Sequence, residues 1–194
     1  SRHNSLNGTL GARCTIWLGG KLPNQHITFT PTVNGSIERL TYRRDALHAH
    51  PRRNQLFFLP TLSWGFDNCH ITYRMHAAYP ELFNLLDYTD NADPLNLYCG
   101  NPHLQRSTSH KVTFSRSWWK WKEGKKFFID ATWDVTRNAV AHGQTYDAAT
   151  GVRTFMPRNV DGNWHAAARM FWERPFDKDR QTLFTSETKA DFRN

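Results

Sequence analysis

The sequence predicts an all-β protein of antiparallel strands joined up and down. Three observations predict it. Apolar and polar side chains alternate with a period of two, turn residues close each alternating stretch, and connections are short and long by turns.

Strands are expected near 10–19, 24–31, 55–66, 69–77, 110–121, 126–138, 162–172 and 181–192. The first pair is short, and Pro31 ends its second member. In 55–66, Leu56, Phe58, Leu62, Trp64 and Phe66 share a face, and Pro60 is tolerable at a bulge or edge. Ile71, Tyr73, Met75 and Ala77 then oppose His70, Thr72, Arg74 and His76. In 110–121, Arg116 shares the face of Val112, Phe114 and Trp118. A bulge near Ser115–Ser117, a snorkelling side chain or a sheet outside lipid would each accommodate it. Ile129, Ala131 and Trp133 oppose Asp130, Thr132 and Asp134. Ala166, Ala168, Met170 and Trp172 oppose His165, Ala167, Arg169 and Phe171. Phe184, Ala190 and Phe192 oppose Thr185, Glu187, Lys189 and Asp191.

The short links are Gly20–Pro23, Asp67-Asn68, Lys122–Lys125 and Glu173–Arg180; the long ones are 32–54, 78–109 and 139–161. A tilted strand of roughly 9–11 residues crosses an outer membrane, and several of these are long enough. Short turns on one side and long loops on the other are what a transmembrane barrel imposes, whereas a soluble sandwich has no reason to sort them. Trp118, Trp119 and Trp121, Trp172, and Trp64 with Phe66 all crowd strand ends next to short turns, as an interfacial aromatic belt requires. The expected fold class is therefore an antiparallel up-and-down transmembrane β-barrel. Residues 1–194 are expected to supply about eight strands, and ends that read as cuts make them a segment of a larger barrel domain.

Composition agrees. The chain is long enough for one domain, and a mean hydropathy of −0.70 leaves no run of roughly 18 apolar residues for a membrane helix. Barrel strands alternate and look soluble on average. A net charge of +8 raises nucleic acid as a partner, but the basic residues form no stripe and no nucleic-acid-binding motif is present. Cys14, Cys69 and Cys99 are an odd number without a CxxC pair and give no disulfide framework. His48 and His50 are a weak metal signal, more readily read as solvated loop histidines. No cofactor is expected. Asp130 and Asp134 share a strand face, yet nothing positions a partner acid, and no nucleophile or phosphate-loop motif occurs, so no enzyme activity is expected. The opening Ser1-Arg2-His3-Asn4 and the end at Phe192-Arg193-Asn194 read as cuts inside a longer chain.

The most informative stretch is Tyr79-Pro80-Glu81-Leu82 followed by Asp90 to Leu104, with Pro94, Leu95, Asn96, Gly100, Asn101, Pro102 and Leu104 as its fixed points. Prolines that set φ and Asn and Asp residues that favour turns make it a shaped connection. Ile71-Thr72-Tyr73-Arg74 precedes it and Ser109 to Phe114 follows. Tyr146-Asp147-Ala148-Ala149-Thr150-Gly151 and Asn159-Val160-Asp161-Gly162-Asn163-Trp164 come later. Over about 71–172 this pattern resembles the outer-membrane β-barrel family related to TonB-dependent receptors. Gln105-Arg106 departs from it, where relatives carry Lys or a similar residue and then Pro.

The resemblance implies a barrel of about 22 strands closed by a separate plug, in the outer membrane of a Gram-negative bacterium, taking up bulky nutrients with energy from TonB. Its partners would be outer-membrane lipid, an unknown nutrient and, only through a plug region absent here, TonB. Candidate lumen-facing residues are His70, Thr72, Arg74, His76, Lys111, Asp130, Asp134, His165, Arg169 and Glu187. The alternative is a soluble all-β module binding a ligand such as carbohydrate.

Overall fold

A computed structural model describes residues 2–20, 23–44, 47–177 and 182–194. Strands dominate, and the described residues contain no α-helix. In chain order the strands are β1 (Arg2–Gly11), β2 (Cys14–Trp17), β3 (His26–Thr30), β4 (Thr32–Arg44), β5 (Leu47–Ala49), β6 (Arg52–Phe58), β7 (Thr61–Phe66) and β8 (Cys69–Ala78). They continue as β9 (Thr89–Asp90), β10 (Asn96–Cys99), β11 (Ser107–Lys120), β12 (Lys125–Arg137), β13 (Ala139–Tyr146), β14 (Arg153–Val160), β15 (Asn163–Pro175) and β16 (Leu183–Arg193). Single 3₁₀ turns sit at Leu82–Leu85 and Trp121–Glu123.

The framework is one antiparallel sheet of eight strands in the order β16-β15-β12-β11-β8-β7-β3-β2. Each strand follows its neighbour up and down, as the alternation predicts. Asp67-Asn68 closes a two-residue hairpin, with Asp67 at φ 48°. Gly124, at φ 65°, lets the chain turn back into β12. Parts of the expected links Gly20–Pro23 and Glu173–Arg180 lie outside the described residues.

Two of the three expected long loops are corrected. Residues 32–54 hold β4, β5 and the start of β6, and β4 pairs with both β1 and β6. Counting on from Thr30↔Thr61, Val33 meets Phe58, the partner an uninterrupted ladder would give it. Gly11↔Thr32 likewise continues Cys14↔Phe29. Pro31 therefore does not end its strand, and 55–66 is not one unbroken strand. Pro31 and Pro60 lack donors at adjoining positions and interrupt the ladder without shifting its register. Residues 139–161 are also a hairpin. Ala139↔Val160 continues Thr136↔Asn163, across a kink at Asn138 (φ 52°) and Gly162 (φ 91°). From Trp164 to Arg153 the chain runs through twelve residues, roughly 36 Å along the strand. The third loop, 78–109, carries the short β9 and β10, which join β13 and β14 in a second sheet.

Directly opposed residues share a face, so the register sorts the whole framework. One row reads Cys14, Phe29, Leu62, Tyr73, Val112, Trp133, Ala166 and Phe192; the next reads Ile16, Ile27, Trp64, Ile71, Phe114, Ala131, Ala168 and Ala190. Both are apolar across all eight strands. The row between them, on the other face, is Thr15, Thr28, Ser63, Thr72, Thr113, Thr132, Ala167 and Asp191. Arg116 lies between Cys69 and Ile129 on the apolar face, and the ladder runs unbroken from Ser107 to Lys120, so no bulge turns it away.

Nothing among the described residues covers that apolar face: Trp133 is 50% exposed, Leu62 45% and Phe192 61%. Among the described residues, the packed core cluster sits at the long-loop end. Leu40 of β4 meets Leu82 and Leu86, with Tyr42, Phe83 and Tyr88 around them. The short-turn ends are staggered too. Trp17 closes β2 in the row of Arg169, six residues short of Pro175 at the end of β15. Six residues over six strand spacings, at about 3.3 Å and about 4.8 Å each, give a tilt of about 35°, the tilt at which sheets close into barrels.

Candidate functional site

Two surfaces carry the chemistry: the polar face of the framework and the outer loops above it. All ten sequence-derived polar-face residues share one face. His70, Asp130 and Arg169 lie in one row, Thr72 in the next, and Arg74, Lys111, Asp134 and His165 in a third; His76 and Glu187 keep the same parity. The rows are laced by ion pairs. The His165 ring lies between two carboxylates, Nδ1 at 3.2 Å from Asp134 and Nε2 at 2.7 Å from Asp191. Arg169 Nε sits 2.7 Å from Glu187, which Lys189 also approaches at 3.2 Å. Between the His165 and Arg169 rows a hydroxyl row runs across the strands, with Thr15 and Thr28 3.0 Å apart and Ser63 and Thr72 3.2 Å apart. The face offers alternating charges and hydroxyls, suited to holding polar groups reversibly.

The loop motif is a clamp. Asn101 donates from Nδ2 to the Pro157 carbonyl of β14 (2.9 Å) and accepts at Oδ1 from the His103 amide (3.0 Å). Asn159 answers from the other side: Oδ1 accepts from the Gln105 amide (2.7 Å), and Nδ2 donates to the carbonyls of Gln105 (3.0 Å) and Asn138 (2.8 Å). Gln105 thus fixes the loop exit through its backbone. Gly100 passes so close to Leu86 that a Cβ would overlap the Leu86 carbonyl oxygen. The Leu95 carbonyl accepts from the Arg153 amide at 2.8 Å, opening the parallel pairing of β10 with β14. Leu104 is buried. Pro94 and Pro102 shape the turns between these contacts, and Asn96 donates to Asp93 at 2.8 Å.

Outer turns are held by carboxylates. The Thr150 hydroxyl, then the Ala149 amide, keep the Asp147 carboxyl below its ordinary value of 3.8. The Asn96 side chain, then the Leu95 amide, do the same for Asp93. Sequence reasoning missed a second joint, at the β6 end. Arg53 donates at 2.6 Å to both the Pro80 carbonyl and Glu38, and it lies 4.9 Å over the Tyr79 ring. It walls a cleft of about 370 Å³ with Glu38, Glu81 and Phe83. Its signal was the Arg facing a Glu across β4 and β6, invisible while that stretch reads as a loop. The side chain of His48 lies outside the described residues. Among those described, no three or more His, Cys, Asp or Glu groups converge on a metal position.

Short-turn ends of the apolar face carry aromatic side chains with cations beside them. Lys120 lies 5.2 Å over Trp118, and Arg174 lies 5.2 Å over Trp172, which meets Phe184 edge-on at 5.9 Å. The Trp121 side chain is outside the described residues. A ring belt with snorkelling cations is the mark of a membrane interface.

A tilted antiparallel sheet with one continuous apolar face, one polar face, short turns at one end and clamped loops at the other defines the wall of a transmembrane β-barrel. The family comparison agrees: the model of the outer membrane protein beta-barrel family matches residues 39–186, and the chain belongs to that family, with the outer membrane as its location. No curated protein matches the chain.

Proposed function

We propose that this chain is wall of a TonB-dependent receptor-like transporter that takes up bulky nutrients across the outer membrane of a Gram-negative bacterium. The observation that carries this reading is the polar face, charged and hydroxylated across the framework strands and overhung by loops locked into one body. Such a wall lines a wide lumen and presents a formed binding rim outside. β2 and β16 are the two edges of the sheet, and lipid does not tolerate open edges, so further strands complete the wall. The lumen residues bind and pass the nutrient without covalent chemistry, and TonB acts through a plug outside this segment. A soluble sugar-binding sandwich is disfavoured because the apolar face has no second layer among the described residues.

Uptake of radiolabelled bulky nutrients by cells with and without the full-length protein tests the reading, with the proton-motive force intact or collapsed. Uptake that needs both the protein and the force is expected. Uptake that persists after collapse would describe a passive pore and contradict it.

A further inference from the structure

We propose that His26 and His70 form a binding site for a divalent transition-metal ion on the polar face, near the short turns. The two residues flank Gly65 in one row of β3, β7 and β8. A Cβ at Gly65 would run into Cε1 and Nε2 of His26 and Cε1 of His70, so both imidazoles converge on the space the glycine leaves. Their centroids are 5.6 Å apart with planes at 59°. Two imidazoles bound through one nitrogen each to a tetrahedral ion at about 2.0–2.1 Å have centroids about 5 Å apart.

The tautomer fits as well. His26 Nδ1 is 3.0 Å from the Asn24 carbonyl oxygen. A carbonyl only accepts, so Nδ1 carries the proton and the lone pair is on Nε2, on the edge that overhangs Gly65. Metal-binding histidines are held in this way, with the second nitrogen donating to a backbone carbonyl. Trp17, with its centroid 4.9 Å from His26, walls the site toward β2. Imidazole pairs suit Zn²⁺, Ni²⁺ and Cu²⁺, with Cu²⁺ the tightest. Two protein ligands leave the other positions to water or to a donor atom of a passing solute, an exchangeable site in contrast to a closed structural one. The inference holds whether or not the barrel carries out active uptake.

The test uses the full-length protein in detergent micelles, titrated with Cu²⁺ or Zn²⁺ alone by calorimetry. One ion per chain is expected at this site, with His26→Ala and His70→Ala each weakening it by about tenfold or more. Gly65→Val, which fills the space and leaves both ligands, should also weaken it, whereas His50→Ala should not. Electron paramagnetic resonance of the Cu²⁺ form of the unmutated protein, which needs no variant to fold, should show two coupled imidazole nitrogens. Unchanged affinity in both histidine variants, or a spectrum with no more than one nitrogen, would overturn the proposal.

Discussion

Asn159 makes three hydrogen bonds with one amide, and they join three separate stretches of chain: the loop exit at Gln105, the kink at Asn138 and its own strand. Asn101 makes two more from the opposite loop, to Pro157 and His103. Asn159→Ala should therefore cost about 1–3 kcal/mol, because partners are left unsatisfied when one amide is removed. Loop cleavage by added protease on intact cells measures it, and faster cleavage within 78–109 is expected. Gly100→Ala should be at least as damaging, since its Cβ collides with backbone at Leu86. At the hairpin tip, the Asp147 carboxyl is held low by Thr150 and Ala149. A folded pKa below the ordinary value contributes order that is full above 3.8 and lost as pH falls through the lower folded value. A spin label at Ala148 should keep its mobility from about pH 7 to 5 and gain mobility below about 3.8.

At the scale of elements, the strands of the framework were legible because burial against one environment writes a period of two into the sequence. The extensions were not. Residues 139–161 keep the ladder register of β12 and β15 without their apolar face, and backbone pairing leaves no mark on side chains that water solvates on both sides. Pro31 and Pro60 hid the first extension in another way, since each reads as a strand end when its partner is unknown. The clamp was half legible: the turn chemistry of Gly100-Asn101-Pro102 stood out, but its partner Asn159 is distant in sequence. Arg116 was left open by sequence, and the unbroken ladder assigns it to the apolar face, level with Cys69 where β8 begins. There it is close to the short-turn interface, so Arg116→Leu should change membrane stability by only about 0–1 kcal/mol. Ala168→Arg, in mid-band, should destabilise by about 2–4 kcal/mol. Denaturant titration of the protein in lipid vesicles separates the two.

The molecule as a whole inverts the plan of a soluble protein. Its packed core lies at the outer end, around Leu40, Leu82 and Leu86, while the largest sheet leaves its apolar rows open. That arrangement is stable only where something apolar meets the open face, and a bilayer supplies it along strands tilted by about 35°. The most direct measurement is single-cysteine scanning on a background with Cys14, Cys69 and Cys99 replaced, in native outer membranes. Labels at 71, 73, 129 and 133 should be quenched by lipid-soluble agents, and labels at 70, 72, 130 and 132 by water-soluble ones. Equal exposure to lipid at the two sets would contradict the barrel wall.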